Sequence, residues 1–300
     1  MKTTYHKPVM LEEAIQGLKI DPDGVYVDVT FGGGGHSHAI LECLSAQGKL
    51  VALDQDQAVL QNTIADERFH FIQGNFSHLQ RLLKFHGITQ IEGVLADFGV
   101  SSHQFDVADR GFSTRMKGPL DMRMSLQNPR HAQQVVNQYS SEQLHRIFKD
   151  YGEVRMAGTL ANLIVDRREK SPLETTQDLV ELLRPRLPKP HFNKIIAQIF
   201  QAIRIEVNGE LDAIKAFLEQ ATALLKKGGR LVCISYHSLE DRLVKRYISE
   251  GKFEGKASTD WYGNRELPLK KVGKLVVPSE EEIKENSRAR SGKLRIAEKL

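Results

Sequence analysis

Three hundred residues with 40% hydrophobic content suffice for one large α/β domain or two smaller ones, which excludes a disordered chain. No run of about eighteen apolar residues is present, and Lys7, Pro8, Glu12 and Glu13 interrupt Met1 to Leu18, so the chain reads as a soluble cytoplasmic protein without a membrane span or secretory leader. Cys43 and Cys233 are the only cysteines, each within an apolar segment, which excludes a disulfide framework and a thiolate metal site and predicts two buried thiols.

The net charge of +4 is unevenly spread. Residues 1–105 carry 7 basic and 12 acidic side chains, 106–205 carry 16 and 11, 206–264 carry 9 of each, and 265–300 carry 10 and 6. An acidic first block with basic additions suggests that the additions meet a polyanion, or else that they are solvated helix faces.

In chain order, a short amphipathic helix is predicted to end near Ile20, and Asp21-Pro22-Asp23-Gly24 is a turn. Val25 to Thr30 is the first strand, and the four glycines Gly32 to Gly35 lead into a helix over His36 to Ala46. Such a strand, tight turn and helix start can cradle a ligand against free N–H groups, although a glycine run alone could be a mere turn. Lys49 to Asp54 is the second strand. Asp54 lies near the roughly 20-residue offset at which an acid accepts hydrogen bonds from ribose hydroxyls. Asp56 is placed to cap the next helix, Gln57 to Ile64. Phe69 to Gln73 and Ile91 to Phe98 are the third and fourth strands; Asn75, Phe76 and Asp97 stand at their carboxyl ends. Ligands of open α/β sheets bind there, so Asp28, Asp54, Asn75 or Phe76, and Asp97 should share one crevice.

From Phe98 to Met124 the chain reads as loop, and residues 132–205 as helix throughout: Ser141 to Lys149, Val154 to Arg168, Thr176 to Leu187 and Lys194 to Val207. This strandless block implies a helical domain, 106–205, inserted into a sheet domain made of 1–105 and 206–300. The sheet pattern resumes with a helix Leu211 to Lys226, a turn Lys227-Gly228-Gly229 and a strand Arg230 to Ser235. Tyr236-His237-Ser238-Leu239-Glu240-Asp241-Arg242 follows, with Ser238 read as N-cap and no Gly-x-Ser-x-Gly elbow for a nucleophile. Val272 to Val277 and Lys293 to Ala297 are final strands around the basic turn Ser287 to Ser291. Trp261 and Tyr262 fall in a Gly-rich loop without an assigned role.

A pyrophosphate cofactor such as NAD would be repelled by an acidic block, whereas S-adenosylmethionine brings a sulfonium and an ammonium, so the charge balance favours the methyl donor.

The stretches Asp28-Val29-Thr30-Phe31-Gly32-Gly33-Gly34-Gly35-His36-Ser37, Asp97-Phe98-Gly99-Val100-Ser101-Ser102, Arg110-Gly111-Phe112-Ser113, Gly118-Pro119-Leu120-Asp121-Met122-Arg123-Met124, Phe200 to Asn208, His237-Ser238-Leu239-Glu240-Asp241-Arg242 and Arg288-Ala289-Arg290-Ser291 together resemble the bacterial ribosomal RNA small-subunit methyltransferase H family, also called MraW. The resemblance covers nearly the whole chain. It implies a class I (Rossmann-like) methyltransferase fold with a helical insertion, and methylation of the exocyclic N4 of one cytidine in the decoding region of 16S rRNA, within the small ribosomal subunit. Family cofactor contacts carried over by motif fall on Gly34, Gly35, His36, Asp54, Phe76, Asp97 and Gln104. Val29 stands where the family usually has glycine and His103 where it often has proline; neither change removes a liganding group.

The N4 lone pair is delocalised into the ring, so hydrogen bonds must localise it before it attacks the methyl. Asp97 is the candidate acceptor, with Ser101 and Ser102 in support, or it orients the donor while a backbone carbonyl accepts. Arg123, His237, Glu240 and Asp241 are substrate-side candidates, and Arg288 and Arg290 candidate phosphate contacts for an unstacked target. No metal is expected. The competing readings are an RNA-binding ribosome-assembly factor with a vestigial or sensory pocket, and an NAD-dependent oxidoreductase.

Overall fold

The structure, a computed structural model, describes residues 8–300, so Tyr5, His6 and Lys7 lie outside the described residues. The chain separates into two compact units, Met1–Gly99 with Leu211–Leu300, and Val100–Glu210.

The first unit holds seven strands: β1 (Val25–Asp28), β2 (Lys49–Asp54), β3 (Phe69–Gln73), β4 (Ile91–Asp97), β5 (Leu225–Ser235), β6 (Leu269–Val276) and β7 (Lys293–Lys299). Their order is β3-β2-β1-β4-β5-β7-β6. The first five are mutually parallel, and β7 runs antiparallel between β5 and β6. This is the Rossmann-like sheet of class I methyltransferases. Strand order reverses between β1 and β4, and the crevice of such a sheet opens at their carboxyl ends.

The period of two in the strands explains why both faces are covered. Tyr26, Leu50, Leu95 and Val232 pack on one side with α1 (Leu11–Leu18) and α2 (Gly35–Cys43). Their neighbours Val27, Val51, Val94, Ala96 and Leu231 face the other side, under α3 (Leu79–Phe85) and the later helices. Parallel strands buried on both faces must be nearly continuous apolar runs, as Leu50 to Leu53 is.

The second unit is helical: α4 (Ser102–Asp106), α5 (Ala132–Gln138), α6 (Ser141–Asp150), α7 (Ala157–Arg168), α8 (Thr176–Leu183) and α9 (Phe192–Asn208). It closes on its own core, including Leu144, Phe148, Leu160, Leu179, Ile199 and Ile203. Helix α8 stops at Leu183 rather than Leu187: Pro185 has no backbone N–H to continue the α-helical ladder, and Arg184–Arg186 follows as a 3-10 turn. The chain returns through α10 (Glu210–Leu224), α11 (Ser238–Glu250) and α12 (Glu280–Glu285). Among the described residues no helix is long and apolar enough to cross a membrane.

Several expectations are corrected. Lys227-Gly228-Gly229 lies within β5, where the bulge opposite Ile91 and Gly93 absorbs the left-handed Gly228 without ending the strand. The stretch before the basic turn contains α12, capped by Ser279. His237, not Ser238, is the N-cap of α11, paired with Glu240 in a capping box. Cys43 is exposed at the last turn of α2, while Cys233 is buried in β5.

Candidate functional site

The glycine turn begins where β1 ends. Asp28 is buried at that end and accepts hydrogen bonds from Ser37 Oγ (2.7 Å) and from the Thr30 backbone N–H (3.1 Å). Thr30 Oγ1 in turn accepts from the backbone N–H of Asp97 (2.7 Å). The first turn of α2, the end of β1 and the end of β4 are thereby tied together across the reversal of strand order. Gly34 is the N-cap of α2 in the left-handed region (φ 78°), and a Cβ there would stand 3.0 Å from Phe31. At Gly35 the crowding comes from the chain itself, since a Cβ would fall 2.1 Å from Pro8 Cγ. His36 is buried with Nε2 3.1 Å from the carbonyl of Val9; a carbonyl only accepts, so Nε2 carries a proton. At the helix start His36 also offers a ligand its backbone N–H.

At the end of β2, Asp54 Oδ2 accepts from Gly32 N–H (2.9 Å) and Oδ1 from Asp56 N–H (2.9 Å). Each oxygen keeps a second lone pair, which suits it to accept from two vicinal hydroxyls. Asn62 Nδ2 donates to the carbonyl of Gly32 (2.9 Å), holding the same turn. Asp56 caps the following 3-10 turn through Ala58 N–H (3.0 Å). After β3, Asn75 donates to Gln55 (2.7 Å) and half-buried Phe76 packs edge-on against Phe217 at 5.6 Å. The apolar ring beside polar strand ends is a setting for one face of a purine.

At the end of β4, Asp97 Oδ1 accepts from the hydroxyl of Tyr236 (2.7 Å). Desolvation pushes Asp97 up to about 6; His36 and the Tyr236 hydrogen bond pull it down, while Asp28 and Glu240 push it up. Asp54 is also pushed up to about 6, first by desolvation, against the hydrogen bonds from Asp56 and Gly32. Burial likewise raises Asp28, and raises the Tyr236 phenol well above its ordinary value. Buried carboxyls crowded in this way favour a positively charged occupant. Glu240, fully buried, accepts from the backbone N–H groups of Tyr236 (2.8 Å) and His237 (3.3 Å), and its Oε1 lies 3.1 Å from His237 Nε2. Glu240 thus fixes the turn that delivers the Tyr236 hydroxyl.

Sequence reasoning missed Thr30, Ser37 and Tyr236. Their bonds tie the ends of β1, β4 and β5 to α2; the only signal was that Thr30 and Tyr236 stand just after strand ends and Ser37 in the first turn after the glycines.

Other candidates are engaged elsewhere. In the helical unit Ser101 and Gln104 form the capping box of α4, and Ser102 is its first residue. Arg123 binds Asp121 through two nitrogens (2.9 and 2.7 Å) and the carbonyls of Leu126 and Asn128, which makes it a clamp on its own loop. Asn208 holds the same loop through Met124 N–H and the carbonyl of Met122, both at 2.8 Å. A Cβ at Gly118 would stand 1.9 Å from the carbonyl of Ala108, so this motif needs glycine for packing. In the sheet unit Asp241 receives Arg295 (2.6 and 3.1 Å), which ties α11 to β7. Arg288 is half-buried, and Arg290 is exposed on the 3-10 turn Ser287–Ser291.

The MraW methylase family model matches residues 3–300. The chain belongs to the MraW methylase family. Curated relatives match the chain at high identity over its whole length. A ribosomal RNA small subunit methyltransferase H of Flavobacterium johnsoniae is 57% identical over 302 residues, covering 100% of both chains. One of Christiangramia forsetii is 56% identical, covering 99% of this chain and 98% of its own. Among solved structures, a putative rRNA-methylase from Clostridium thermocellum is similar at 10% identity and a TM-score of 0.45, covering 99% of this chain and 100% of that one. The methyl donor of such a methylase, S-adenosylmethionine, fits the residues present: lone pairs on Asp54 for a ribose, a ring at Phe76, helix-start N–H groups for a carboxylate, and crowded carboxyls for its cationic centres.

Proposed function

We propose that this chain transfers a methyl group from S-adenosylmethionine to the exocyclic N4 of one cytidine in the decoding region of 16S rRNA, acting in the cytoplasm on the small ribosomal subunit. The observation that carries the reading is the set of strand ends, Asp28, Asp54 and Asp97, arranged around the reversal of strand order and the glycine turn. When bound, S-adenosylmethionine supplies an electrophilic methyl on a sulfonium. Asp54 holds its ribose, Phe76 one face of its adenine, and the first N–H groups of α2 its carboxylate.

Asp97 acts on the substrate. Tyr236 occupies Oδ1, and Oδ2 makes no hydrogen bond with a described residue; in this reading Oδ2 accepts from the target amine. That bond localises the nitrogen lone pair toward the methyl, and a carboxyl near 6 can take up the departing amine proton at neutral pH. The inserted helical domain, 106–205, with 16 basic residues against 11 acidic, recognises the RNA, and Arg288 and Arg290 add phosphate contacts.

The test is mass spectrometry of 16S rRNA from a deletion strain. One missing cytidine methyl, restored by the wild-type gene and not by Asp97→Ala, supports the reading. Restoration by Asp97→Ala would overturn the role of Asp97, and an unchanged rRNA would overturn the substrate. An assembly factor without catalysis would leave subunit maturation dependent on the chain and independent of Asp97.

A further inference from the structure

Between α11 and β6 the chain makes a hairpin with two aromatic rings at its tip. Trp261 and Tyr262 are 103% and 91% exposed. Their loop is nevertheless well tied. Asp260 Oδ1 accepts from the N–H groups of Tyr262 (2.9 Å) and Asn264 (2.8 Å), and Asp260 N–H donates to the carbonyl of Asn264 (2.9 Å). Gly263 takes the left-handed position (φ 83°), and Thr259 pairs with Arg265 in an antiparallel bridge. At the foot, Arg265 pairs with Glu250 at the end of α11, and Ala257 N–H donates to the same carboxylate (2.9 Å). The turn is thus fixed by polar bonds while both rings are held away from the unit they belong to. Single exposed apolar residues need no explanation, but adjacent Trp and Tyr on a preorganised turn are a contact surface.

The strand that follows is basic. Lys270, Lys271 and Lys274 are exposed on β6, the outer strand of the sheet, and none pairs with a described acidic residue. Lys270 stands five residues after Arg265, within about 17 Å of chain reach from the hairpin foot. Residues 251–277 hold six cations against three acids, and Asp260 is already spent on the turn. Lysines on an edge strand also guard against edge-to-edge pairing, which would account for them but not for the rings.

We propose that the 259–265 hairpin and the lysines of β6 form a binding surface for single-stranded RNA, with unstacked bases lying on Trp261 and Tyr262 and phosphates against Lys270, Lys271 and Lys274. Rings and cations together are what unpaired RNA recognises, because every base has a π-face and every linkage a charge. The surface deepens the rRNA reading above and rests on it for the identity of the strand.

Trp261 is the only tryptophan in the chain, so its fluorescence reports this loop alone. Unstructured oligouridylate should quench it, and duplex RNA much less. Trp261→Ala should weaken oligonucleotide binding about 5- to 150-fold, the loss of one stacked base, while Trp261→Phe retains most of the affinity. Replacing the three lysines with glutamine should lower the slope of log affinity against log salt by about 2. S-adenosylmethionine affinity should stay unchanged in all three variants, which controls for folding. Unquenched fluorescence in wild-type protein that still methylates small subunits would overturn the surface and leave the activity standing. Quenching by RNA without methyl transfer would do the reverse. A blue shift with phosphatidylglycerol vesicles and none with RNA would reassign the loop to lipid, and a shift with protein concentration alone would reassign it to a second copy.

Discussion

Tyr236→Phe removes one atom from the site, the hydroxyl that donates to Asp97 Oδ1 at 2.7 Å. The ring keeps its place, since it packs beside Gly99 and its turn is held by Glu240 through backbone N–H groups. A hydrogen bond to a charged group contributes about 1.5–3 kcal/mol, or roughly 1–2 units of pKa. It favours the carboxylate, so its loss should raise Asp97 from about 6 to roughly 7–8. At pH 7 the ionised fraction would fall from about nine-tenths to between one-half and one-tenth. Methyl transfer to isolated small subunits, followed from pH 5.5 to 9 at saturating S-adenosylmethionine, should lose roughly two- to ninefold at pH 7 and recover fully by about pH 9. A profile with its acid limb unmoved would refute the coupling of Tyr236 to Asp97, and a loss that persists at pH 9 would show that the hydroxyl acts in some other way.

Asp97→Asn should abolish turnover while stabilising the cofactor-free protein. The folded-state pKa of Asp97 lies above its unfolded value of 3.8, so its stabilising contribution is present below that value and is lost as pH rises through about 6. The gain is at most about 3 kcal/mol at pH 7.5 and should vanish below about pH 4, as thermal unfolding at the two pH values will show. Asp54→Ala should weaken S-adenosylmethionine binding by roughly 10- to 100-fold in calorimetry, with wild-type affinity falling as pH drops through about 6 because only the ionised carboxylate accepts from both ribose hydroxyls; an unchanged affinity would remove Asp54 from the site. Asp241→Ala should cost about 3 kcal/mol of stability by stranding Arg295, with S-adenosylmethionine affinity intact. A stable variant with impaired RNA binding would instead return Asp241 to the substrate side.

Much of the sheet was legible because it is local. Leu50 to Leu53 is apolar at every position and ends in an acid, because a parallel strand buried on both faces leaves its mark on consecutive residues, and Phe69 to Gln73, an edge strand with only Ile72 buried, occurs as read from its aromatic and β-branched run. Strand ends are set by the same local pattern, so Asp28, Asp54 and Asp97 could be named from it. Caps were legible where the capping residue bonds within its own turn, as Asp56 does with Ala58, and misread where a buried carboxylate competed: Glu240 made His237, not Ser238, the cap.

The sequence by itself therefore determined the parallel strands, the longer helices, the glycine turn and the acids that end the strands, since each depends on residues within one or two turns of chain. Only the tertiary structure decided which groups share a proton's surroundings. Tyr236 lies 139 residues from Asp97, and Asp97 bonds through its backbone to Thr30 across 67. It likewise decided that Arg123 and Asp241 are held in ion pairs, and that Trp261 and Tyr262 stand in solvent on a turn fixed beneath them. Charge state, pairing and exposure depend on what packs nearby, and residue spacing along the chain carries no record of that.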